Sequence, residues 1–501
     1  MSLPSWEWPL SFWVKKSMKY EVLRKKYPKF VYKKYSWKVS DNNLNISFDF
    51  KIEPDIYFQP KVVIENVKES QIKRVGNRIL DNFIFNLGLI ELLSYWKVTC
   101  SPEIKILAGP LNKEQILWWK DLIMKGMGQF FYENKIDFRQ PNFLKFNVKT
   151  KDFVTNVTRK DFVTLKKRVL IPIGGGKDSV LTLELLKNAG KDIRCFSLKP
   201  TNAAQKIMNI AGCKKPIIIR RKIDKKLLEL NQEGFLNGHT PFSAYLAFLS
   251  VLGAVLFDYK FIAFSNERSS NEGNLKYLGK TINHQWSKSF EFEKKFREYS
   301  KKYLAKNIEY FSFLRPLYEI QIAKLFSKYP EYFNAFLSCN VAYQTTSGAK
   351  KPTYPVQIAS RLYGARKWCG SCPKCLFVFT ALYPFIEESE LLKIFRKNLF
   401  EGKKLLPIMQ QLVGKRGFKP FECVGTKKES QIAFYLSYKK YRGQTPVSLP
   451  ALLKYLEEKI LPKYPDLEKD SRQILNSWNN QNYLPKYFER ILKYGIERFK
   501  K

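Results

Sequence analysis

Between residues 168 and 264 the chain alternates short apolar strands with helices, and few folds can accommodate this alternation. The pattern predicts strands at 168–173, 193–198, 216–220 and 260–264, and helices at 178–187, 201–212 and 241–257. Strands that are separated by helices need crossover connections, which are right-handed and produce parallel pairing. The sequence therefore predicts an α/β protein with a parallel, doubly wound sheet.

The length of 501 residues is too great for one ordinary core and indicates about three domains or more. The segment before the alternating pattern combines β-like runs, such as 45–52, with a predicted helix at 112–133. The end of the chain contains helical patterns at 449–460 and 484–499. We expect an N-terminal α+β domain at 1–160, the α/β domain at 165–300, a helical region that contains the cysteine cluster at 301–430, and a helical extension at 431–501.

The chain is strongly basic, with 88 Lys and Arg against 45 Asp and Glu and a net charge of +43. The densest basic stretch, 15–38, has interleaved aromatic residues, a mixture that suits single-stranded RNA. The excess of lysine continues through every segment, however, which favours a solvated surface over a nucleic-acid partner. Hydrophobic residues make up 45%, which excludes a disordered chain.

Targeting signals are not expected. The apolar run 240–257 ends at Asp258 and is shorter than the roughly twenty residues of a membrane span. Near the N-terminus, Glu7 precedes the apolar residues, which is the opposite of a secretory signal. Eight cysteines are too few for a disulfide scaffold. We expect a cytoplasmic protein in which Cys100, Cys195 and Cys213 are ordinary core thiols.

A glycine-rich loop, 173–179, stands between the first predicted strand and helix with the sequence Ile-Gly-Gly-Gly-Lys-Asp-Ser. Glycines allow a tight turn that points backbone amides at one anion, and the helix N-terminus adds partial positive charge. Ser179 can donate a hydroxyl, and Asp178 can hold Mg²⁺. The spacing fits neither the Walker A loop nor G-x-G-x-x-G. The loop predicts a phosphate site, with a tight turn without a ligand as the alternative.

Ligands of such sheets lie beyond the carboxyl ends of the strands. Polar residues follow three of the predicted strands: Lys199 and Thr201, Arg220 and Arg221, and the segment 265–268. The two histidines, His239 and His284, lie in polar, turn-like segments, and each is either a site residue or a structural one.

Three cysteines, Cys369, Cys372 and Cys375, are spaced three residues apart, and Cys339 lies thirty residues before them. Four thiolates suit a closed structural Zn²⁺ site. A C-x-x-C-x-x-C run can also ligate an iron–sulfur cluster. The Gly-Ser and Pro-Lys spacers favour a zinc knuckle, and four unrelated buried thiols are the remaining alternative. The sequence assigns no role to Cys423.

The glycine-rich loop resembles the PP-loop of ATP pyrophosphatases, usually S-G-G-x-D-S, with Gly174 in place of the first serine. A PP-loop followed by four cysteines is also similar to 7-cyano-7-deazaguanine synthase. A broader resemblance, over about 88–430, is to the UDP-N-acetylmuramoyl-L-alanyl-L-glutamate epimerase family of the MurL type. The segments that carry it are 174–179, 236–239, 265–269, 283–291, 314–317, 338–340, 368–375 and 421–425. Trp286 departs from the tyrosine expected there.

This resemblance implies a sheet of the PP-loop (adenine nucleotide alpha hydrolase-like) type. It also implies ATP-dependent inversion of the terminal L-glutamate of the UDP-sugar dipeptide, through an acyl-adenylate, with release of AMP and diphosphate. The implied place of the reaction is peptidoglycan precursor synthesis, with ATP, Mg²⁺ and structural Zn²⁺ as cofactors and a small-molecule substrate as partner. The alternatives are a PP-loop adenylating enzyme that acts on RNA or a nucleobase, and an ATP-binding scaffold without turnover.

The resemblance also suggests roles for single residues. The residues expected to bind diphosphate are Gly174, Gly175, Gly176, Lys177 and Ser179, and Asp178 is expected to bind Mg²⁺. Substrate binding falls to Arg268, Asn266 and Arg220. The candidates for proton transfer are His284, Lys288, His239 and Glu267.

Overall fold

A computed structural model describes residues 18–150, 165–343, 367–444 and 448–498. The N-terminal segment with Glu7 and the first residues of the basic stretch lie outside these ranges. Thirteen strands are found in the described ranges: β1 Lys29–Ser40, β2 Asn43–Ile52, β3 Ile56–Phe58, β4 Lys61–Glu65, β5 Glu103–Leu111, β6 Lys145–Thr150, β7 Val169–Pro172, β8 Ile193–Leu198, β9 Ile217–Lys222, β10 Phe261–Phe264, β11 Leu275–Tyr277, β12 Lys280–Ile282 and β13 Glu309–Ser312.

Helices surround these strands. In chain order they are α1 Tyr20–Lys26, α2 Glu69–Val75, α3 Asn77–Glu91, α4 Leu93–Trp96, α5 Lys113–Gly126, α6 Gly128–Glu133, α7 Lys177–Asn188, α8 Asn202–Ile210, α9 Lys225–Gln232, α10 Phe242–Phe257, α11 Phe290–Tyr299, α12 Glu319–Phe326, α13 Asn340–Tyr343, α14 Pro373–Leu382, α15 Glu388–Phe395, α16 Leu406–Leu412, α17 Lys427–Gln444, α18 Ala451–Tyr455, α19 Leu467–Asn476 and α20 Lys486–Arg498. Short 3₁₀ and π turns include Arg268–Asn271, Trp286–Lys288, Ser300–Leu304, Pro330–Tyr332, Leu399–Glu401, Lys403–Leu405, Leu456–Ile460 and Leu461–Lys463.

One large, mostly parallel sheet organises the molecule. It contains eleven strands. Ten of them follow the order β13-β10-β7-β8-β9-β4-β2-β1-β5-β6, and β3 pairs with β2 outside this order. From β7 the chain adds β8 and β9 on one side and then β10 and β13 on the other, all parallel. The growth of the sheet therefore changes direction between β7 and β10, which is the switch point where α/β sheets bind ligands.

The N-terminal strands belong to the same sheet. Strand β4 pairs antiparallel with β9, and Ile64 lies opposite Ile219 in this register. Beyond β4, the strands β2 and β1 continue antiparallel, and β5 and β6 are parallel. The mixed α/β architecture with parallel pairing after residue 168 agrees with the sequence pattern.

Helices cover both faces of the sheet, because successive strand residues point to opposite sides. In β7, Leu170 belongs to one core, which includes α3 and α10. Its neighbours Val169 and Ile171 belong to the other, which includes α7, α12 and α14. In the described parts of the chain, no helix has the length and apolar character that a membrane crossing needs.

Two local predictions need correction. Cys195 and Cys213 are not separate thiols, since their sulfurs form a disulfide and their Cα atoms lie 6.2 Å apart. The sequence did not show this pairing because β8 and the segment before β9 become neighbours only in the folded sheet. The single helix predicted at 112–133 is two helices that are interrupted at Met127.

Candidate functional site

The glycine-rich loop connects the end of β7 to α7. Gly175 has φ +97°, and a Cβ there would lie 3.0 Å from the Ala203 Cβ and 3.1 Å from the Ala204 nitrogen. Only glycine fits this position without strain. Helix α7 starts at Lys177, its N-cap residue Gly176 provides no side-chain cap in the described structure, and Ser179 donates a hydrogen bond to the Gly176 carbonyl at 2.9 Å. The first amides of α7 are therefore not claimed by a capping side chain and could bind an anion.

Lys177 does not project freely from this loop. Its side chain is only 3% exposed, and its ammonium forms ion pairs with the carboxylates of Asp178 and Glu319. Burial opposes the charged form, but the two carboxylates outweigh burial, so the pKa of Lys177 is raised. The two carboxylates therefore hold the positively charged Lys177 ammonium next to the loop.

Three carboxylates meet beside the loop. Oxygens of Asp178, Glu267 and Glu319 lie within 4.8 Å of one another. The Oε1 atom of Glu267 is buried and has no hydrogen-bond partner among the residues that the structure describes. Burial, followed by the nearby Glu319 carboxylate, raises the pKa of Glu267 to about 7. Carboxylate oxygens with one open position fit a divalent cation such as Mg²⁺.

Glu319 is a site residue that sequence reasoning missed. It opens α12 and lies 142 residues from Lys177 in the chain. Its residue type at a helix start is ordinary, because acidic residues are generally favoured there. Only the packing of α12 against α7 brings its carboxylate to the loop.

The predicted proton-transfer residues cluster around Cys423. The Lys288 ammonium lies 3.2 Å from the Cys423 sulfur, and His284 Nε2 lies 4.0 Å from it. His284 Nδ1 lies 2.5 Å from the Gln129 amide oxygen, and the rings of His239 and His284 are 4.6 Å apart. The structure thus brings together His239, His284 and Lys288, and adds a thiol that the sequence left unassigned.

Burial and positive neighbours keep both imidazoles neutral. Burial and then the Lys288 charge lower the pKa of His284 to about 3. Burial and then His284 lower the pKa of His239 well below its ordinary value. The pKa of Lys288 is raised, since the neighbouring Cys423 and Glu267 outweigh the effect of burial. Lys288 is therefore the charged member of the cluster near neutral pH.

Arg315 fixes the backbone that carries two of these residues. Its side chain is fully buried and forms a 3.2 Å ion pair with Glu293. It donates hydrogen bonds to the carbonyl oxygens of Glu267, at 2.5 Å, and of Lys288. The sequence included Arg315 in the segment 314–317 but gave no reason to assign it a positioning role.

The three predicted substrate residues have different surroundings. Asn266 is buried and donates to the Ser312 hydroxyl at 3.1 Å, and the Arg268 guanidinium lies 4.3 Å above the Tyr318 ring. Both flank Glu267 in sequence. The structure does not bring Arg220 to the carboxylate and thiol cluster, because its largely exposed side chain pairs with Glu65 across β9 and β4.

The four predicted thiols form one compact group. The sulfur separations are 3.8 Å for Cys339 and Cys372, and 3.5 Å for Cys369–Cys375 and for Cys372–Cys375. A tetrahedral Zn²⁺ with bonds of about 2.3 Å requires sulfur separations of about 3.8 Å. The group fits one zinc ion, whereas an iron–sulfur cluster needs wider spacing because its own atoms lie between the thiolates.

The thiol group abuts the glycine-rich loop. Leu337, two residues before Cys339, donates its amide to the Gly175 carbonyl at 2.8 Å. A Cβ at Gly176 would lie 3.5 Å from the Ser338 Cβ. The thiol segment therefore packs directly against the turn that starts α7.

These features define a doubly wound α/β protein with a buried ionisable site at the switch point of its sheet. Residues 21–313 match the family model of the MurL N-terminal domain, and residues 335–462 match that of the MurL C-terminal domain. The chain belongs to the MurL family. This confirms the family that the sequence motifs indicated.

Three relatives carry the name UDP-N-acetyl-alpha-D-muramoyl-L-alanyl-L-glutamate epimerase. The protein of Salinispora tropica is 35% identical over 352 residues, 70% of this chain and 72% of the relative. The protein of Micromonospora sp. is 33% identical over 350 residues, which are 70% of this chain and 73% of the relative. The protein of Xanthomonas oryzae pv. oryzae is 32% identical over 348 residues, which are 69% of this chain and 72% of the relative.

Proposed function

We propose that this protein is an ATP-dependent epimerase that inverts the terminal L-glutamate of UDP-N-acetylmuramoyl-L-alanyl-L-glutamate in peptidoglycan precursor synthesis. The relatives' shared name supports the substrate. The observation that carries the proposal is the position of Glu267. This buried carboxyl interacts electrostatically with Asp178 of the glycine-rich loop and with Lys288 and Cys423 of the proton-transfer cluster. Phosphate chemistry and proton chemistry can therefore act on one bound molecule.

The chemistry explains why both parts are needed. The α-proton of glutamate is weakly acidic next to an ionised carboxylate, because the resulting carbanion faces a negative charge. ATP supplies the activation, since conversion of the carboxylate to an acyl-adenylate removes that charge and provides a carbonyl that accepts electrons. Loss of AMP by hydrolysis restores the acid and makes the cycle irreversible.

The loop residues are assigned to the leaving diphosphate. In this proposal, the amides at Gly174, Gly175 and Gly176 and the Ser179 hydroxyl bind its oxygens. The open loop position at Gly174, where a Cβ would meet nothing within 4 Å, leaves room for a ligand. Lys177 supplies positive charge at the same point, and its ion pairs with Asp178 and Glu319 hold it there.

The three carboxylates beside the loop are assigned to Mg²⁺. Asp178, Glu267 and Glu319 provide the oxygen donors that this ion prefers, and the Glu267 oxygen that has no hydrogen-bond partner within the described ranges is available to bind it. When bound, Mg²⁺ neutralises phosphate charge. This assignment moves Glu267 from the proton-transfer candidates to the cation site.

His284, His239 and Lys288 then form the proton-transfer side. Neutral imidazoles can accept or relay protons, and the charged Lys288 stabilises negative charge that develops on the substrate. Asn266 and Arg268 remain the substrate-binding candidates next to Glu267. Both substrates are nucleotides, and we place the reaction in the cytoplasm.

The test is incubation of the full chain with ATP, Mg²⁺ and the UDP-dipeptide in D₂O. The proposal predicts deuterium at the glutamate α-carbon, D-glutamate after hydrolysis, and formation of AMP. Deuterium without nucleotide consumption would indicate a racemase that needs no activation. AMP formation only with RNA or a nucleobase would instead support the alternative adenylating activity.

A further inference from the structure

Cys423 has no role in the proposed reaction, although it lies among the residues that do. It is a free, half-buried cysteine in the loop before α17. Its sulfur is 3.2 Å from the Lys288 ammonium and 4.0 Å from His284 Nε2. The thiolate is the reactive form of cysteine, and reactive cysteines are typically found next to positively charged groups.

The backbone of Cys423 is held from the opposite side. Lys374, in α14 between two of the clustered thiols, donates its ammonium to the Cys423 carbonyl oxygen. The neighbouring Glu422 accepts a hydrogen bond from the Asn340 amide at 2.5 Å. These contacts fix the loop, so the sulfur has a defined position relative to Lys288.

A second observation indicates that a ligand belongs next to this sulfur. Glu267 is 2% exposed, and in the described part of the chain its Oε1 atom meets no hydrogen-bond partner. The Lys288 ammonium and the Cys423 side chain both influence the pKa of the Glu267 carboxyl, and Cys423 and Glu267 in turn influence the pKa of Lys288. A buried oxygen is rarely left open, because the lost hydrogen bond costs free energy. The open Glu267 oxygen and the Cys423 thiol therefore belong to one group of residues that influence each other electrostatically.

We propose, on the basis of the epimerase function above, that Cys423 is a catalytic residue whose thiolate removes the α-proton of the activated glutamate. The Cα–H bond breaks and an S–H bond forms, while the electron pair of the broken bond moves into the acyl carbonyl as an enolate. Water then delivers a proton to the opposite face of Cα. The hydroxide that remains takes the proton from sulfur, which restores the thiolate and water.

Lys288 is a positioning residue in this step. Its ammonium lies in contact with the sulfur, and neutral His284 adds no competing positive charge beside it. Glu422, Lys374 and Glu267 are the other charged groups around the thiol. In the described residues, Lys288 contacts the sulfur directly, whereas Lys374 contacts the Cys423 carbonyl oxygen.

The first test separates proton removal from ATP cleavage. Cys423→Ala is compared with the wild type and with Cys100→Ala, a matched change at a buried cysteine outside the site, in D₂O with ATP, Mg²⁺ and the UDP-dipeptide. We expect deuterium incorporation to fall by about 10²–10⁴-fold in Cys423→Ala, the usual contribution of a general base. AMP should still form, because activation does not use the thiol.

A Cys423→Ala protein that incorporates deuterium within about tenfold of the wild-type rate overturns this inference alone. An inactive wild type, which forms neither AMP nor deuterated product, overturns the proposed function and this inference with it.

If Cys423→Ala fails to fold, alkylation of the Cys423 thiol tests the inference instead. Wild type and Lys288→Met are treated with iodoacetamide across a pH series, and modification of Cys423 is followed by peptide mass spectrometry. We expect fast modification near neutral pH in the wild type, protection by the UDP-dipeptide, and a shift of the profile to higher pH in Lys288→Met. Identical profiles without protection overturn the inference.

Discussion

The Arg315 guanidinium pairs with the Glu293 carboxylate at 3.2 Å, and neither side chain is more than 1% exposed. Glu293 also accepts the Ser312 amide at 2.9 Å, so the pair ties α11 to the end of β13. Since Arg315 also donates hydrogen bonds to the carbonyl oxygens of Glu267 and Lys288, the backbone at both residues depends on this buried ion pair.

Removal of Arg315 should therefore destabilise the protein. Arg315→Met leaves Glu293 charged and unpaired in the interior, and we expect the free energy of unfolding to fall by about 3–5 kcal/mol. Urea denaturation measures it. The exposed Lys393–Glu390 pair is the control, because Lys393→Met should change stability by less than about 0.5 kcal/mol. Equal effects of the two changes would contradict the positioning role.

Gly175→Ala should abolish AMP formation. The added methyl group would lie 3.0 Å from the Ala203 Cβ in a backbone conformation that alanine rarely adopts, so the loop must change shape. We also expect a loss of stability of at least about 1 kcal/mol. Gly443→Ala, in α17 with open space around it, is the matched control and should be neutral or slightly stabilising. Normal AMP formation by Gly175→Ala would rule out the tight loop as the phosphate site.

Asp178→Asn should reduce AMP formation by about 100-fold or more, because it removes a carboxylate from the cation site and a partner of Lys177. The measurement is AMP release at several Mg²⁺ concentrations. Asp41→Asn is the control, since Asp41 is exposed and its φ of 53° suits asparagine equally well. Wild-type turnover in Asp178→Asn would refute the assignment.

The four-thiol group should bind one zinc ion per chain. Cys375→Ser should lose the metal and lower the melting temperature, because three remaining thiols cannot close a tetrahedral structural site. Metal content measured by mass spectrometry, together with thermal unfolding, tests this. Cys100→Ala should keep the metal. Because Leu337 is bonded to Gly175, loss of zinc should also weaken ATP binding. A metal-free wild type of full stability would contradict the expectation.

Because His284 is buried in its neutral form, the free energy of unfolding of the protein should fall at acidic pH. Its folded pKa of about 3 lies below the ordinary 6.5, so its contribution is present above pH 6.5 and is lost as the pH falls. Between pH 8 and pH 5, we expect the wild type to lose about 1–2 kcal/mol more than His284→Gln. Urea titrations of both proteins at each pH give the difference. Parallel pH dependences would show that the imidazole is not buried neutral.

The sequence predicted the elements whose patterns are local. Buried parallel strands are short apolar runs, so β7, β8 and β10 were found within a residue or two. The glycine-rich loop was visible because its residues are adjacent in the chain. Likewise, the thiols were recognised by their spacing, and the structure places all four together.

Other features depend on contacts that no local pattern encodes. Glu319 reaches the loop only through the packing of α12, and Cys423 meets Lys288 across 135 residues of chain. The neighbour of a strand in the sheet is equally non-local, which is why the disulfide between Cys195 in β8 and Cys213 before β9 was missed. Arg220 follows an apolar strand in the sequence, but its pairing with Glu65 depends on β4 as neighbour.

The antiparallel seam between β4 and β9 has a consequence for any attempt to cut this polypeptide into halves. Each fragment would expose an edge strand whose backbone amides and carbonyls have lost their hydrogen-bond partners. Such an edge can pair with another copy of the same fragment. Co-expressed fragments should instead recombine through that seam. We therefore expect the parts of the chain on the two sides of this seam to depend on each other for folding.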